Sequence, residues 1–73
     1  MSKFSDAIRS KRIGLGVHMA EIGDRLNISA SMYGRIERGE IPPFNEDFQE
    51  ICGLFGLDTK VYADEIAQQR LSR

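Results

Sequence analysis

The stretch of sequence that decides the fold is residues 19–38, which run MAEIGDRLNISASMYGRIER. Both halves of this stretch carry apolar residues at helical spacing: Ile22, Leu26, Met32, Tyr33 and Ile36. Asn27 is a residue type that can end a helix in a left-handed turn, and Ser29 is a good N-cap for the helix that follows. The pattern therefore predicts a helix over residues 18–26 and another over 30–38, joined by a turn of about three residues.

These dimensions are typical of a helix-turn-helix unit, which we place at residues 19–38. The two helices of such a unit cross steeply, so a small residue must lie where they meet, and Gly23 is at that position. The turn needs left-handed backbone, which Asn27 tolerates. Five apolar side chains are predicted to pack the unit against the rest of the fold: Ile22, Leu26, Ile28, Tyr33 and Ile36.

A first helix is predicted before the unit, over residues 5–13, with Ser5 as its N-cap. Four residues there share helical spacing: Phe4, Ala7, Ile8 and Lys11. Gly14 and Gly16 end this helix. After the unit, Gly39 is at the position of a C-terminal cap, and Pro42 and Pro43 indicate a connector because proline cannot lie in a helix interior.

Two further helices are predicted after the connector. Asn45 is expected to cap the fourth, whose apolar stripe is Phe48, Ile51, Cys52 and Phe55. Asp58 or Thr59 is expected to cap the fifth, which covers about residues 59–69 and turns Val61, Tyr62 and Ile66 inward. No alternating apolar and polar run supports a strand. The sequence therefore predicts an all-α, compact five-helix domain, with residues 1–73 as one domain.

The composition limits the classes of protein to which this chain can belong. The 73 residues are 41% hydrophobic and 29% charged, which is ordinary for a globular chain. Cys52 is the single cysteine, and its apolar neighbours predict a buried thiol in a reducing compartment. No apolar run approaches the ~20 residues of a membrane helix, and residues 1–6 lack the apolar region of a signal peptide. We therefore expect a soluble, cytoplasmic protein with no membrane partner.

Charge is distributed unevenly along the chain. The net charge is −1, but residues 1–38 hold seven basic and four acidic groups, whereas residues 39–73 hold three basic and seven acidic groups. Halves of opposite sign suggest two faces with different partners, and the alternative is a solvated surface of uneven charge.

Enzymatic chemistry is not indicated. The chain has one histidine and one cysteine, far apart in sequence, and its carboxylates are scattered along predicted helix surfaces. Metal-ligand spacing and a glycine-rich phosphate loop are both missing from the pattern. We therefore expect no catalytic residues, no metal and no cofactor.

Two segments of the sequence resemble parts of a known family. Residues 10–16, SKRIGLG, resemble the end of the first helix, and residues 35–39, RIERG, the end of the recognition helix, in the repressor and Cro proteins of lambdoid phages and the Xre-like bacterial regulators. The resemblance covers about residues 7–57. It implies a lambda-repressor-like DNA-binding domain, in which Arg12 and Glu37 form a structural ion pair inside the fold.

The same resemblance implies which residues contact DNA bases: Ala30, Ser31, Gly34 and Arg35. Base contacts belong to the N-terminal and outward positions of the third helix. Arg35 is the strongest candidate, because a guanidinium can donate two hydrogen bonds to guanine O6 and N7. The alternative for Arg35 is an exposed charge that suits the helix dipole.

Phosphate contacts are implied for Lys11, His18, Met19 and Arg38. Met19 departs from the family, which usually has a glutamine there that orients both a phosphate and the recognition helix. His18 either replaces that phosphate contact or merely caps the second helix. A further departure is a group of acidic residues in and just after the connector, where relatives often carry basic groups: Glu40, Glu46 and Asp47.

Two functions follow from these observations. The first is a sequence-specific transcriptional regulator, a repressor that binds double-stranded DNA at a palindromic operator as a homodimer. The C-terminal helix, with Phe55 and Leu57 near it, is the expected place of the symmetric interface. The alternative is a protein-binding module on the same fold, an anti-repressor or an antitoxin-like partner, which the acidic second half favours.

Overall fold

The computed structural model describes residues 2–72 of the chain. Five helices follow one another along it: α1 (Lys3–Leu15), α2 (Met19–Leu26), α3 (Ala30–Glu37), α4 (Asn45–Phe55) and α5 (Thr59–Leu71). No strand occurs between residues 2 and 72. The predicted all-α, five-helix architecture is therefore confirmed.

Helix α1 begins two residues before its predicted start. The Ser2 hydroxyl accepts a hydrogen bond from the Ser5 amide at 3.0 Å, and the Ser2 amide donates to the Ser5 hydroxyl at 3.1 Å. This reciprocal bonding is a capping box, so Ser2 is the N-cap and the prediction of Ser5 as N-cap is wrong. The earlier start brings Phe4 into the first turn, where its side chain is buried.

Helices α2 and α3 form the helix-turn-helix, and α2 packs most extensively against α3. Asn27 has the left-handed backbone that the turn needs, with φ at 60°. The Ile28 amide donates to the Gly23 carbonyl at 2.9 Å, and the Ser29 hydroxyl accepts from the Met32 amide at 3.0 Å. The first of these bonds closes the turn after α2, and the second caps the N-terminus of α3.

Helix α4 begins at Asn45, but its N-cap is Phe44 and not the predicted Asn45. Phe44 has extended backbone, and its carbonyl accepts from the Phe48 amide at 2.8 Å, which makes Asn45 the first residue within the helix. Helix α5 is capped by Asp58, whose carboxylate accepts from the Lys60 amide at 3.0 Å. Val61 of α5 is exposed, against the prediction that it lies inward.

The core lies between all five helices and contains these buried apolar residues: Phe4, Ile8, Ile22, Leu26, Tyr33, Ile36, Phe48, Ile51, Cys52, Phe55 and Ile66. Phe4 contacts two other aromatic rings, Phe48 with centroids 5.3 Å apart and Tyr62 with centroids 5.6 Å apart. Cys52 is buried as predicted, and burial, followed by the charge of Asp58, raises the pKa of its thiol.

Helix α5 joins the two ends of the helical assembly through polar contacts. The Glu65 carboxylate accepts from the Phe4 amide at 3.0 Å, which supplies an acceptor at the start of α1. The Gln69 side-chain amide donates to the Gly39 carbonyl at 3.1 Å, and Arg70 donates to the Pro43 carbonyl at 2.7 Å. α5 therefore holds the connector between α3 and α4 in place.

None of the five helices is long and apolar enough to cross a bilayer, as judged over residues 2–72.

Candidate nucleic-acid interface

An ion pair between Arg12 and Glu37 sets the position of α3. Arg12 Nε donates to Glu37 Oε2 at 2.8 Å, and Nη2 donates to Oε1 at 2.9 Å, so the pair is bidentate. Arg12 Nη1 also donates to the Val17 carbonyl at 3.0 Å, just before α2 begins. One guanidinium thus connects α1, the segment leading into α2 and the last residue of α3.

Burial makes this pair a rigid support. The Glu37 side chain is 2% exposed and that of Arg12 is 14% exposed. The hydrogen bond to Glu37, more than any other cause, raises the pKa of Arg12 above its ordinary value. Beside the pair, burial and then the nearby Glu37 carboxylate raise the pKa of Tyr33, whose enclosed hydroxyl makes no geometrically defined hydrogen bond within the described chain.

Helix α3 presents three of the four predicted base-contacting residues to solvent. Ala30 and Ser31 are exposed in its first turn, and the Arg35 side chain is half exposed one turn later. Tyr33, Ile36 and Glu37 on the opposite side are buried. The exposed face of α3 is therefore free to approach a groove while its other face is held by the core.

Gly34 does not share that exposed face, in contrast to the position expected for it. It is buried in the contact between α2 and α3. A Cβ built at Gly34 would lie 3.4 Å from the Met19 sulfur and 3.1 Å from Arg38 Nη1. Met19, where the family has glutamine, packs against α3 through its thioether, and its side chain is partly buried against the core.

Two arginines and one carboxylate meet at the end of α3. Arg38 Nε lies 2.6 Å from Glu40 Oε2, and Arg35 Nε lies 3.6 Å from Glu40 Oε1. We call Arg35, Arg38 and Glu40 the α3-end cluster. The bond to Arg38 is the main cause that lowers the pKa of Glu40. From the sequence, Glu40 was identified as a departure from the family, but its ion pairs with the two arginines were not predicted.

The remaining predicted phosphate ligands lie on α1 and at the start of α2. Lys11 is exposed on α1, next to Arg12 in sequence. His18 is exposed and occupies the N-cap position of α2. Its backbone amide donates to the Glu21 carboxylate at 3.1 Å, so an acidic group already occupies this helix start. Within α4, Glu46 is exposed and Asp47 is half-buried in the first turn.

An apolar groove lies beside α3, which the sequence did not reveal. We call it the connector groove; its volume is about 410 Å³ and its lining is Ile28, Met32, Ile36, Ile41, Pro42, Pro43, Phe44, Asp47 and Arg70. Phe44 is 80% exposed at this groove. The signal that could have indicated it is the apolar run 41–44 in a segment that two prolines keep out of a helix.

Among residues 2–72 no group of three or more histidine, cysteine, aspartate or glutamate side chains is arranged to hold a metal ion. The surface instead combines a projecting helix, helix ends and arginines. These are the features that contact base edges and phosphates in DNA-binding proteins.

Comparison with known proteins supports the same conclusion. A family model described as Helix-turn-helix, HTH_3, matches residues 8–61, which includes α1 to α4 in large part and the start of α5. Comparison with curated proteins and with solved structures gives no significant match. The matched residues span well over half of the chain. The chain therefore belongs to the family of Cro/CI/Xre-like helix-turn-helix DNA-binding domains, which act as regulators of transcription.

Proposed function

We propose that this chain is a repressor that binds a palindromic operator as a homodimer, with α3 in the major groove. The observation that supports this proposal most is the exposed face of α3, formed by Ala30, Ser31 and Arg35, on a helix whose far end is held by the Arg12–Glu37 pair. A helix that contacts bases must hold its side chains at a fixed angle to the groove, and the buried bidentate pair fixes the orientation of α3.

Roles within the interface follow from exposure and geometry. Arg35 donates to a guanine edge, because its side chain is half exposed on the outward face of α3 and a guanidinium can donate two hydrogen bonds to guanine O6 and N7. Ala30 contacts a thymine methyl group, and Ser31 bonds a base or a backbone oxygen. Lys11, His18 and Arg38 contact phosphates, which contribute affinity without sequence preference.

The proposed dimer uses the connector groove. Phe44 is 80% exposed, and its insertion into the groove of a second copy would remove it from water. Asp47 and Arg70 both line the groove, so a two-fold axis through it would allow the carboxylate of one copy to pair with the guanidinium of the other. The expected role of Phe55 in this interface is not supported, because Phe55 is buried in the core of its own chain.

The size of the molecule suits this arrangement. Its longest dimension is 30 Å, and half-sites that face the same side of a duplex lie about 34 Å apart. Two copies side by side can therefore place their α3 helices in successive major grooves. Repression then requires only that the occupied operator overlap a promoter, because a bound dimer excludes polymerase sterically.

Selection of bound sequences from a random duplex library tests this proposal. We expect an enriched site with two-fold symmetry and half-sites one helical turn apart, and we expect Arg35→Ala to lose one enriched position in each half-site. A reporter whose promoter overlaps the selected site should be silenced by the chain. A library that shows no enrichment would contradict sequence-specific binding.

A protein partner is the second candidate function, and the connector groove is the observation that favours it. An apolar groove with an exposed phenylalanine could receive a segment of another protein instead of a second copy. Salt dependence distinguishes the two candidates. Retention on nonspecific duplex should fall steeply with salt for a DNA-binding protein, whereas indifference to salt would favour the protein partner.

A further inference from the structure

We propose that Glu40 determines the specificity of this interface by positioning Arg35 and Arg38 and by cancelling part of their charge. The inference rests on the proposed DNA-binding function and assigns a role to a residue that would otherwise only repel phosphate. It is carried by the geometry of the α3-end cluster. In that cluster one carboxylate is shared by a predicted base-contacting arginine and a predicted phosphate-contacting arginine.

The backbone holds Glu40 in place. Gly39 has φ at 75°, which is the left-handed geometry that glycine adopts at little cost. The Gly39 amide donates to the Ile36 carbonyl at 3.0 Å, and the Glu40 amide donates to the Arg35 carbonyl at 2.9 Å. These two bonds form a Schellman motif, which places residue 40 directly against the last turn of α3. Gln69 of α5 binds the Gly39 carbonyl and supports the same turn.

Each carboxylate oxygen of Glu40 then faces a different arginine at its Nε. Oε2 lies 2.6 Å from Arg38 Nε, and Oε1 lies 3.6 Å from Arg35 Nε. A guanidinium held at Nε keeps both terminal nitrogens available, and those nitrogens make the bidentate contact with guanine or phosphate. Glu40 therefore restricts the two side chains before DNA arrives without occupying the groups that bind DNA.

Gly34 makes room for this arrangement. Arg38 lies back along α3, with Nη1 only 3.1 Å from where a Cβ of residue 34 would be. The absence of a side chain at Gly34 allows Arg38 to stay over the helix within reach of Glu40. The buried position of Gly34, unexpected for a base-contacting residue, is accounted for by this packing.

The net charge of the α3-end cluster also affects specificity. The cluster has two guanidinium groups and one carboxylate, so it presents one net positive charge to a duplex instead of two. Attraction to phosphate is sequence-independent, and each lost phosphate contact lowers the salt slope by about 0.9. A partly neutralised cluster thus weakens binding to arbitrary DNA, while the positioned Arg35 retains its contact with the preferred base.

The test compares Glu40→Gln with the wild-type chain on the selected operator and on a scrambled duplex. Asp64→Asn is the control: it removes an equal charge from the exposed face of α5, and Asp64 joins none of the ion pairs seen among residues 2–72. We expect Glu40→Gln to tighten binding to scrambled DNA about fivefold at ~0.1 M salt and to steepen its salt slope by about 0.9. Operator affinity should rise less, so the ratio of the two affinities should fall at least threefold. Asp64→Asn should preserve the ratio.

A measurement on the free protein checks the positioning itself. The Nε–H resonance of Arg38, which donates to Glu40 Oε2 at 2.6 Å, should be protected from exchange in the wild-type chain and should lose that protection in Glu40→Ala, which removes the acceptor. A wild-type chain that prefers its operator, with a Glu40→Gln variant that keeps the same preference, would overturn this inference and leave the proposed function intact. A wild-type chain that does not distinguish the two duplexes would overturn both.

Discussion

Arg12 and Glu37 are 25 residues apart in sequence, yet they meet through two hydrogen bonds of 2.8 and 2.9 Å at the base of α3. The same guanidinium also bonds the Val17 carbonyl, so one side chain of α1 holds both the segment that leads into α2 and the last residue of α3. The pair lies inside the fold, where the Glu37 side chain is 2% exposed and that of Arg12 is 14% exposed. Its contribution is to fix the angle at which α3 leaves the fold.

Arg12→Ala should lower the free energy of unfolding by about 3 kcal/mol, because it leaves the Glu37 carboxylate buried without its counterion. The lower end of the range for broken buried pairs applies, since Arg12 is 14% exposed and water can reach part of the space. Urea denaturation measures the change. Arg9→Ala, on the exposed face of the same helix, is the control and should alter stability by less than about 0.5 kcal/mol. Equal effects of the two variants would show that the pair contributes no more than an exposed charge.

Gly23→Ala should destabilise the fold by about 2 kcal/mol through steric overlap in the turn. The added Cβ would lie 2.7 Å from the Ile28 carbonyl oxygen and 3.2 Å from Ser29 backbone atoms, which cannot move without opening the turn. Gly53→Ala is the matched control, because a Cβ there meets nothing within 4 Å. In that exposed helical position alanine should stabilise by up to about 1 kcal/mol. Thermal unfolding of both variants should therefore shift in opposite directions, and a common direction would refute the steric explanation.

Arg35→Ala should weaken operator binding by ~1–3 kcal/mol and relax the preference at one base position, with little effect on scrambled DNA. Lys11→Ala should weaken both duplexes about equally and reduce the salt slope by about one. Binding isotherms on the two duplexes at two salt concentrations separate these effects. If Arg35→Ala and Lys11→Ala each change the affinity for both duplexes by the same factor, α3 does not contact bases.

Phe44→Ser should abolish the proposed homodimer without destabilising the monomer, because the ring is 80% exposed in the single chain. Sedimentation equilibrium measures the association, and operator affinity should fall with it. Leu15→Ser removes a comparably exposed apolar side chain, 62% exposed at the end of α1, and should leave association unchanged. Dimerisation that survives Phe44→Ser would place the interface outside the connector groove.

Glu40 should titrate below the usual range of glutamate, because Arg38 and then Arg35 hold the pKa of its carboxyl down. A lowered pKa means that the ion pair is present at neutral pH and is lost as pH falls through that lowered value. Carboxyl carbon shifts measured by NMR during acid titration give the midpoint. Arg38→Ala should move the Glu40 midpoint up toward the ordinary range, and an unmoved midpoint would show that the bond to Arg38 is absent in solution.

The local sequence determined the helices and the turn of this protein. Asn27 and Gly39 end α2 and the α3 segment because their backbones accept positive φ, a property of the single residue that needs no knowledge of the fold. Apolar spacing likewise indicated which faces of α3 and α4 are buried, since a helix has a fixed period. Some errors fell at helix ends, as with the N-cap of α1, which is Ser2 and not the predicted Ser5, and others concerned which residues are exposed, as with Val61 and Gly34.

Only the tertiary structure decided how the polar side chains are partnered. Gln69 reaches the Gly39 carbonyl across 30 residues of sequence, and Glu40 lies between Arg35 and Arg38 because the turn after α3 folds back on the helix. Gly34 is buried because Arg38 lies over it and Met19 packs beside it. Hydrogen bonds require atoms within about 3 Å and ion pairs within about 4 Å, and such distances are set by how the helices pack, which the spacing of residues along one helix does not specify.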